Sequence, residues 1–145
     1  MYKTRLKQDK KAEVVFETYK GEIRTGDIVA VDLGENLVSE KSGMRPAVVI
    51  SNAYMNKKSP NVIVAPITKA SNKLDSDGNI KKYATQVILY QDKYKSLNED
   101  SVIQVEDVRS INKGRITSRI TVLQKEEKSK LDKAIMKTFN FNVDE

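Results

Sequence analysis

The feature that most constrains the fold is a series of short apolar runs, rich in β-branched residues, that begins after Gly26 and is interrupted by polar turns. β-branched side chains pack well on a pleated surface, so each run predicts a strand. The runs are Ile28 to Val31, Ala47 to Ser51, Val62 to Ile67, Thr85 to Leu89, Val102 to Val105 and a weaker Ile120 to Leu123. Short strands at this density predict a small, mainly β domain that forms a partly closed barrel.

The two ends of the chain do not share this pattern of short apolar runs. Apolar residues recur at three- and four-residue spacing near the C-terminus, which predicts an amphipathic helix packed on the barrel, with its stripe in the core or in a dimer contact. The stripe consists of Leu131, Ala134, Ile135, Thr138 and Phe139. Residues 1–23 carry crowded basic side chains ahead of a short apolar stretch and predict a basic arm or a short helix. We therefore expect an arm, 1–23, and one domain, 24–145.

Composition excludes several classes of chemistry. The chain has no cysteine and no histidine, so thiolate metal sites, cysteine nucleophiles and histidine general bases are all absent. We expect neither a metal nor a cofactor. The 26 Lys and Arg exceed the 20 Asp and Glu, and the net charge of +6 favours a polyanionic partner such as nucleic acid. No apolar run is long enough to span a bilayer, and we expect a cytoplasmic protein without membrane contact.

Two residues stand where strands begin and end. Arg45 precedes Pro46, which biases its backbone toward extended conformations and places it at the entry of a strand. Its guanidinium is planar and permanently charged, and it can donate two parallel hydrogen bonds to a phosphate. Thr68 follows the run Val62 to Ile67, where a hydroxyl could donate to a phosphate oxygen or simply bond its own turn. Residues alone leave both interpretations open.

Two long connections separate the predicted strands. Gly34 to Gly43 carries charged residues between glycines, and Lys69 to Ala84 carries four lysines around acidic residues and Gly78. Connections of this length in a compact domain are often functional. We expect both to contribute to a binding surface.

The ordered motifs of the chain resemble those of the MazF/PemK (also called Kid) toxin family. The resemblance covers roughly Gly26 to Phe139, with similar spacings apart from a longer connection at Lys69 to Ala84. The matching strings are Gly26-Asp27-Ile28 through Asp32-Leu33, Ser39 to Asn52 with Arg45-Pro46 inside it, Ser59-Pro60, Val62 to Thr68, Thr85-Gln86-Val87, Asp100 to Ile103, and Glu106 to Ile111.

The resemblance implies an SH3-like barrel with a C-terminal helix that forms a homodimer. It also implies a toxin of a type II toxin–antitoxin system, which cleaves single-stranded RNA selectively and is inhibited by a small cognate antitoxin. Contact with DNA would occur only through a complex with the antitoxin. The implied products are a 2′,3′-cyclic phosphate and a 5′-hydroxyl, formed without a metal ion.

By position in the family's motifs, Arg45 and Thr68 correspond to the catalytic residues, and the resemblance predicts them side by side in an RNA-sized cleft. Glu40, Asn52, Ser101 and Asp107 correspond to positions near the RNA groove. Glu40 is a candidate general base by its charge type.

Two departures from the family's pattern affect the groove. Asp107 and Gln86 replace a glutamine and a histidine of close relatives, and an aspartate in an RNA groove repels phosphate. Two alternatives remain beside the nuclease, of which the net charge and Asp107 support the second. One is a toxin that acts by binding a protein, as CcdB-type toxins bind gyrase. The other is a family member that binds RNA without cleaving it.

Overall fold

The computed structural model describes residues 18–33 and 44–142. Within these ranges the chain forms seven strands in one antiparallel sheet, two α-helices and three short 3-10 helices. The strands are β1 (Asp27–Asp32), β2 (Met44–Val49), β3 (Asn61–Lys69), β4 (Gln86–Leu89), β5 (Ser101–Gln104), β6 (Arg109–Asn112) and β7 (Ile116–Val122). The helices are α1 (Ala53–Lys58) and α2 (Lys125–Thr138), and the 3-10 helices are Ala70–Lys73, Val105–Asp107 and Lys113–Arg115.

The strands lie in the order β4-β5-β3-β2-β1-β7, and β6 continues beside β3 along the same edge as β5. No pairing within the described ranges joins β4 to β7, so the sheet is open between these two strands. The prediction of a mainly β fold with a C-terminal helix is confirmed. All six predicted strands exist, with ends displaced by a few residues, as in β2, which begins at Met44 and ends before Ser51.

Each central strand buries side chains on both faces of the sheet. In β1, Ile28 belongs to one hydrophobic cluster, whereas Val29 and Val31 belong to the other, as the two-residue period of a strand requires. The first cluster also contains Leu131 and Ala134 of α2, so this helix covers one face. Leu131 and Ala134 of the predicted stripe therefore lie in the core and Ile135 packs against it, whereas Thr138 is half-buried and Phe139 is exposed beyond the helix end.

A buried polar cluster fixes the start of α2. The Tyr94 hydroxyl donates to Glu127 Oε1 over 2.6 Å and accepts from the Gln124 backbone N–H over 3.0 Å. Lys93 Nζ lies 2.9 Å from carboxylate oxygens of both Glu126 and Glu127. Burial would raise the pKa of Glu127, but the bonds from Tyr94 and Lys93 outweigh it and lower that pKa. Burial and the bond to Glu127 raise the pKa of Tyr94 to about 12.

Two elements were missed by the sequence patterns. The short helix α1 begins after Asn52, whose side chain accepts from the Met55 backbone N–H over 2.9 Å as an N-cap. Strand β6 has only one buried apolar residue, Ile111, so its sequence shows no apolar run. It forms because β3 offers it an unoccupied edge.

The last residues of the predicted N-terminal arm pack against the sheet. The Tyr19 backbone N–H donates to the Ile116 carbonyl over 2.7 Å, and Tyr19 and Ile23 contact the second hydrophobic cluster. The remainder of the arm, residues 1–17, lies outside the described residues. Within the described part of the chain, no helix is both long and apolar enough to cross a membrane.

Candidate functional site

Arg45 is the second residue of β2, as its position before Pro46 predicts. It stands opposite Val31 of β1 in the antiparallel register, and its side chain is half-buried. The strand anchors it, since Ala47, Val48 and Val49 just beyond are all buried. The guanidinium is therefore carried by a rigid element and retains access to solvent, as an anion-binding group requires.

Thr68 lies on β3 beyond the end of the ladder with β2, in the part of the strand that pairs with β5 along the opposite edge. The ladder between β2 and β3 ends at the pair Ala47 and Pro66. Farther along β3, Thr68 stands opposite Val102 of β5. Extending the β2–β3 register by two residues would place Arg45 opposite Thr68, so both residues belong to the place where the two strands part.

Arg45 and Thr68 line the same cavity, which has a volume of about 520 Å³. Strands β1, β2, β3 and β7 supply its apolar side, and the segments after β3 and before β5 supply most of its polar side. The lining residues are Ala30, Met44, Arg45, Pro46, Ile67, Thr68, Lys69, Asn72, Ser96, Leu97, Asn98, Glu99, Ser101 and Ile120. We call this space the Arg45–Thr68 cavity. Its mixture of an apolar wall with a few polar groups is typical of a ligand site.

Hydrogen bonds hold the polar wall of the cavity together. The Asn72 amide donates to the Thr68 hydroxyl oxygen over 3.3 Å. Glu99 accepts from the Ser71 hydroxyl over 3.0 Å and lies 3.9 Å from Lys69 Nζ. Since Asn72 is the donor, the Thr68 proton stays available to donate to an oxygen in the cavity.

The other residues predicted for the groove are distributed unevenly. Ser101 lines the cavity, where its hydroxyl donates to the Glu99 carbonyl over 2.9 Å. Asn52 caps α1, and Asp107 is exposed in the 3-10 helix after β5, and neither lines the cavity. Glu40 and the rest of the predicted connection 34–43 lie outside the described residues.

Gln86 and Glu106 form a separate polar corner near Asp107. Gln86 Nε2 donates to Glu106 Oε2 over 2.7 Å, and the Thr85 hydroxyl donates to Glu106 Oε1 over 3.1 Å. Burial would raise the pKa of Glu106, but these bonds outweigh it and lower the pKa. Gln86 Oε1 is buried and accepts no hydrogen bond from the described residues. Glu106 is thus held charged by its neighbours.

The sequence patterns missed Asn72, Asn98 and Glu99, which all line the cavity. None belongs to an apolar run, and each lies in a connection that only the folded chain brings to Arg45. The length of the connection after Lys69 was the one available signal, and Asn72 lies within it. The described residues contain no group of three or more His, Cys, Asp or Glu side chains that could hold a metal ion.

Chemically, the Arg45–Thr68 cavity suits an anionic ligand. Arg45, Lys69 and Thr68 line a space with an apolar wall, and among the described residues the two cations outnumber its one carboxylate, Glu99. In such surroundings electrostatic interactions are stronger than in water, so the arrangement can stabilise negative charge that develops on a bound oxygen.

Comparisons with known proteins give a consistent family. Residues 24–139 match the model of a family described as PemK-like, MazF-like toxin of type II toxin–antitoxin system. The chain is 40% identical over 113 residues to the endoribonuclease MazF of Staphylococcus epidermidis, a match that covers 78% of this chain and 88% of that protein.

Solved structures of low sequence identity share the fold. The Mycobacterium tuberculosis toxin MazF-mt6 matches with a TM-score of 0.62 and 23% identity, over 81% of this chain and 99% of that one. MazF from Deinococcus radiodurans matches with a TM-score of 0.62 and 18% identity, over 84% and 100%. A mycobacterial endoribonuclease in complex with its cognate antitoxin matches with a TM-score of 0.63 and 14% identity, over 83% and 98%.

Proposed function

The chain belongs to the PemK-like, MazF-like toxin family of type II toxin–antitoxin systems, and we propose that it cleaves single-stranded RNA with Arg45 and Thr68 as its catalytic residues. It is a MazF-like endoribonuclease, as its 40% identity with a named MazF enzyme over most of the chain indicates. The observation that carries the residue assignment is that Arg45 and Thr68 line one solvent-accessible cavity.

The proposed reaction uses the nucleophile that RNA itself carries. The 2′-oxygen attacks the adjacent phosphorus, a bond from phosphorus to this oxygen forms, and the bond to the 5′-oxygen breaks. The 2′-hydroxyl proton passes to a base, and the leaving 5′-oxygen gains a proton. The products are a 2′,3′-cyclic phosphate and a 5′-hydroxyl, and the reaction needs no metal ion or redox partner.

Each catalytic residue has a distinct role in this proposal. Arg45 stabilises the extra negative charge on the non-bridging oxygens as the phosphorane develops. Thr68 donates its hydroxyl proton to one of these oxygens and so orients the phosphate, while Asn72 holds the Thr68 oxygen from the other side. A guanidinium is too weakly acidic to exchange protons readily at neutral pH, so Arg45 acts through its charge.

Two carboxylates are candidates for the base. The sequence predicts Glu40, and the structure adds Glu99, the one carboxylate that lines the cavity among the described residues. Glutamine substitutions separate them, since each keeps the shape of the side chain and removes its ability to accept a proton. The variant of the true base loses roughly two or more orders of magnitude in kcat, and the other changes mainly KM.

Cleavage of a mixed RNA pool by purified protein in EDTA, mapped by primer extension, tests the proposed function. Wild-type protein should cut at a defined sequence, and an RNA with a 2′-deoxy sugar at the scissile position should stay intact. Cleavage of that deoxy substrate would eliminate the mechanism. Growth inhibition with intact RNA would favour a toxin that acts by binding a protein. RNA binding without cleavage would favour a catalytically inactive RNA-binding member.

Partners follow from the same family. We propose a homodimer that a small cognate antitoxin inhibits by occupying the RNA groove, with DNA contacted only through that complex. Charge supports this arrangement, because a chain with a net charge of +6 attracts both RNA and an acidic peptide segment. Light scattering of the purified chain tests the dimer, and loss of RNA cleavage on adding the antitoxin tests the inhibition.

A further inference from the structure

Three cavities of the molecule share lining residues and so follow one another across the surface. Glu99 lines both the Arg45–Thr68 cavity and a second cavity of about 730 Å³ beside residues 70–82. Lys82 and Tyr90 line this second cavity and also a third, of about 490 Å³, between β4 and α2. We call the third cavity the lysine groove. A path of concave surface thus leads from Arg45 to the C-terminal helix.

The lysine groove carries a marked excess of positive charge. Six lysines line it, against the three carboxylates of Asp92, Glu126 and Glu127. Two of these lysines lie beside the carboxylates at the start of α2. No carboxylate in the described part of the chain lies within ion-pair distance of the other four, which are Lys81, Lys82, Lys133 and Lys137. All four are exposed, so their charges face solvent together.

Two tyrosines stand among these lysines. Tyr83 is 52% exposed and Tyr90 is 49% exposed, and both line the groove. An exposed aromatic ring among cations is how proteins bind unpaired bases, because every base has a face that stacks and every nucleotide has a phosphate. Tyrosine is also enriched at protein–protein interfaces, so RNA is favoured by the rings together with the four lysines and not by the rings alone.

The connection after β3 borders the path of cavities and is folded by its own hydrogen bonds. The Asp75 carboxylate accepts from the backbone N–H groups of Asp77 and Asn79 over 2.9 and 3.0 Å, and Gly78 takes a positive φ of 83° in the turn. The Lys81 backbone N–H then donates to the Lys73 carbonyl over 2.8 Å. The connection after β3 is therefore a hairpin-like segment, which places Lys81 beside Lys73.

We infer that single-stranded RNA held in the Arg45–Thr68 cavity continues along this path and is gripped by the lysine groove, several nucleotides away from the scissile bond. Lysines 82, 133 and 137 bind its phosphates, and Tyr83 and Tyr90 stack on its bases. The inference rests on the proposed function, since it extends the same RNA site. It makes the groove a determinant of affinity for long RNA and leaves the chemistry to Arg45.

Substrates of two lengths test this inference. The short RNA covers only the cleavage motif, and the long RNAs extend it on the 5′ side or on the 3′ side. The triple variant Lys82→Ala, Lys133→Ala, Lys137→Ala should raise KM for one of the long RNAs about tenfold or more. Its kcat and its kinetics on the short RNA should match wild type. Losing about three phosphate contacts should also reduce the salt dependence of binding by about two in log–log slope.

A matched triple variant controls for net charge. Lys20→Ala, Lys57→Ala, Lys58→Ala removes the same charge from exposed lysines that line none of the three cavities. It should leave KM for the long RNA near the wild-type value apart from a small change common to every substrate. Equal KM changes in the two triple variants would overturn the inference, because they would show that only overall charge matters.

The tyrosines supply an independent test. Tyr83→Ala with Tyr90→Ala should weaken binding of the long RNA about tenfold, whereas the phenylalanine versions should restore it, since stacking needs the ring and not the hydroxyl. Tyr54→Ala is the control, because Tyr54 is 73% exposed on α1 and lines none of the cavities. If the double alanine variant binds the long RNA as tightly as wild type, the two tyrosines do not stack on RNA bases.

Failure of this inference is distinguishable from failure of the proposed function. If wild type cleaves the short RNA and both lysine triples treat long RNA alike, the nuclease assignment stands and the groove does not bind RNA. If wild type cleaves nothing, the proposed function fails, and fluorescence anisotropy with a long 2′-deoxy-substituted RNA still compares the two triples. Selective loss of poly-glutamate binding by the groove variant, with RNA binding intact, would assign the groove to a protein partner instead.

Discussion

The Arg45–Thr68 cavity and the cluster beneath α2 use polar side chains in opposite ways. Beneath α2, the Tyr94 hydroxyl and the Glu127 carboxylate meet over 2.6 Å, both are buried, and Lys93 completes the set. In the cavity, the bond between Asn72 and Thr68 is 3.3 Å long and lies in an exposed setting. The cluster beneath α2 satisfies its own polar groups and fixes the start of the helix. The cavity leaves the Thr68 hydroxyl able to donate to a ligand.

The difference implies that activity and stability can be damaged separately. A buried group that loses its partner costs the fold the desolvation of the group that remains. Substituting a half-buried group in the cavity costs the fold little, because solvent can replace the partner that is lost. The proposed phosphate ligand, however, loses a contact. Four substitutions or conditions examine this separation, in order of decreasing expected effect.

Arg45→Ala should have the largest effect and should act on catalysis alone. In the proposed mechanism Arg45 makes the main electrostatic contact to the transition state. Its removal should slow cleavage ~10²-fold or more, as the loss of a preorganised donor does in other enzymes. Cleavage of labelled RNA measures it, and urea unfolding should show a change of about 1 kcal/mol or less. Undiminished cleavage by a folded Arg45→Ala variant would refute the assignment.

Glu127→Ala should show the opposite pattern. It leaves the Tyr94 hydroxyl buried without its acceptor and frees Lys93 from a partner, so the free energy of unfolding should fall by about 2–3 kcal/mol. Cleavage of the short RNA per folded molecule should stay near wild type, because Glu127 does not line the Arg45–Thr68 cavity. The exposed neighbour Glu126 is the matched control, and its alanine variant should cost well under about 1 kcal/mol. Equal costs in the two variants would contradict the comparison.

Thr68→Val keeps the shape of the side chain and removes its hydroxyl. The loss of one hydrogen bond to a charged phosphate should slow cleavage roughly tenfold, and Thr68→Ser should retain most of the rate. Stability should barely change, since the lost bond to Asn72 is long and exposed. A valine variant that cleaves as fast as wild type would leave Thr68 without a role in the reaction.

The pH dependence of stability should report the cluster beneath α2. The pKa of Tyr94 is raised to about 12, so its contribution is complete below the ordinary value of 10.0 and is lost as the pH rises toward 12. The pKa of Glu127 is lowered, so its contribution is present above the ordinary value of 4.5 and is lost as the pH falls below it. Denaturant unfolding across both ranges measures this. Tyr94→Phe should flatten the alkaline side, and it should also weaken the acid-side dependence, because it removes one of the bonds that lower the Glu127 pKa.

Much of the fold could be predicted because its strands bury both faces. Val62 to Ile67 forms most of β3, and a strand that packs on both faces reads as a nearly continuous apolar run. The same rule explains the misses. Strand β6 buries only Ile111, and α1 is too short for a helical period, so the N-cap at Asn52 was its one sequence signal.

The candidate site was predictable only in part, for a related reason. Arg45 and Thr68 are marked by their places at the start and near the end of strands and by the family's motifs. Asn72 and Glu99 carry no such mark, since they lie in connections and reach the cavity only through the pairing of β3 with β5. Asn52 and Asp107 were predicted beside the groove, and in this chain they lie on α1 and on a 3-10 helix, outside the cavity lining. Their contact with RNA stays a prediction.

The sequence by itself determined six of the seven strands in the described part of the chain, which face of α2 is buried, and that neither a thiolate nor an imidazole takes part in the chemistry. These properties follow from local residue choice, because periodicity and side-chain type are written along the chain. Only the tertiary structure decided that the β2–β3 ladder ends at Pro66 while β5 pairs with the following residues along the other edge of β3, so that Arg45 and Thr68 line one cavity. It also decided that lysines from the hairpin-like connection and from α2 share one groove. Such arrangements depend on strand register and helix docking between residues distant in the chain, which no local pattern encodes.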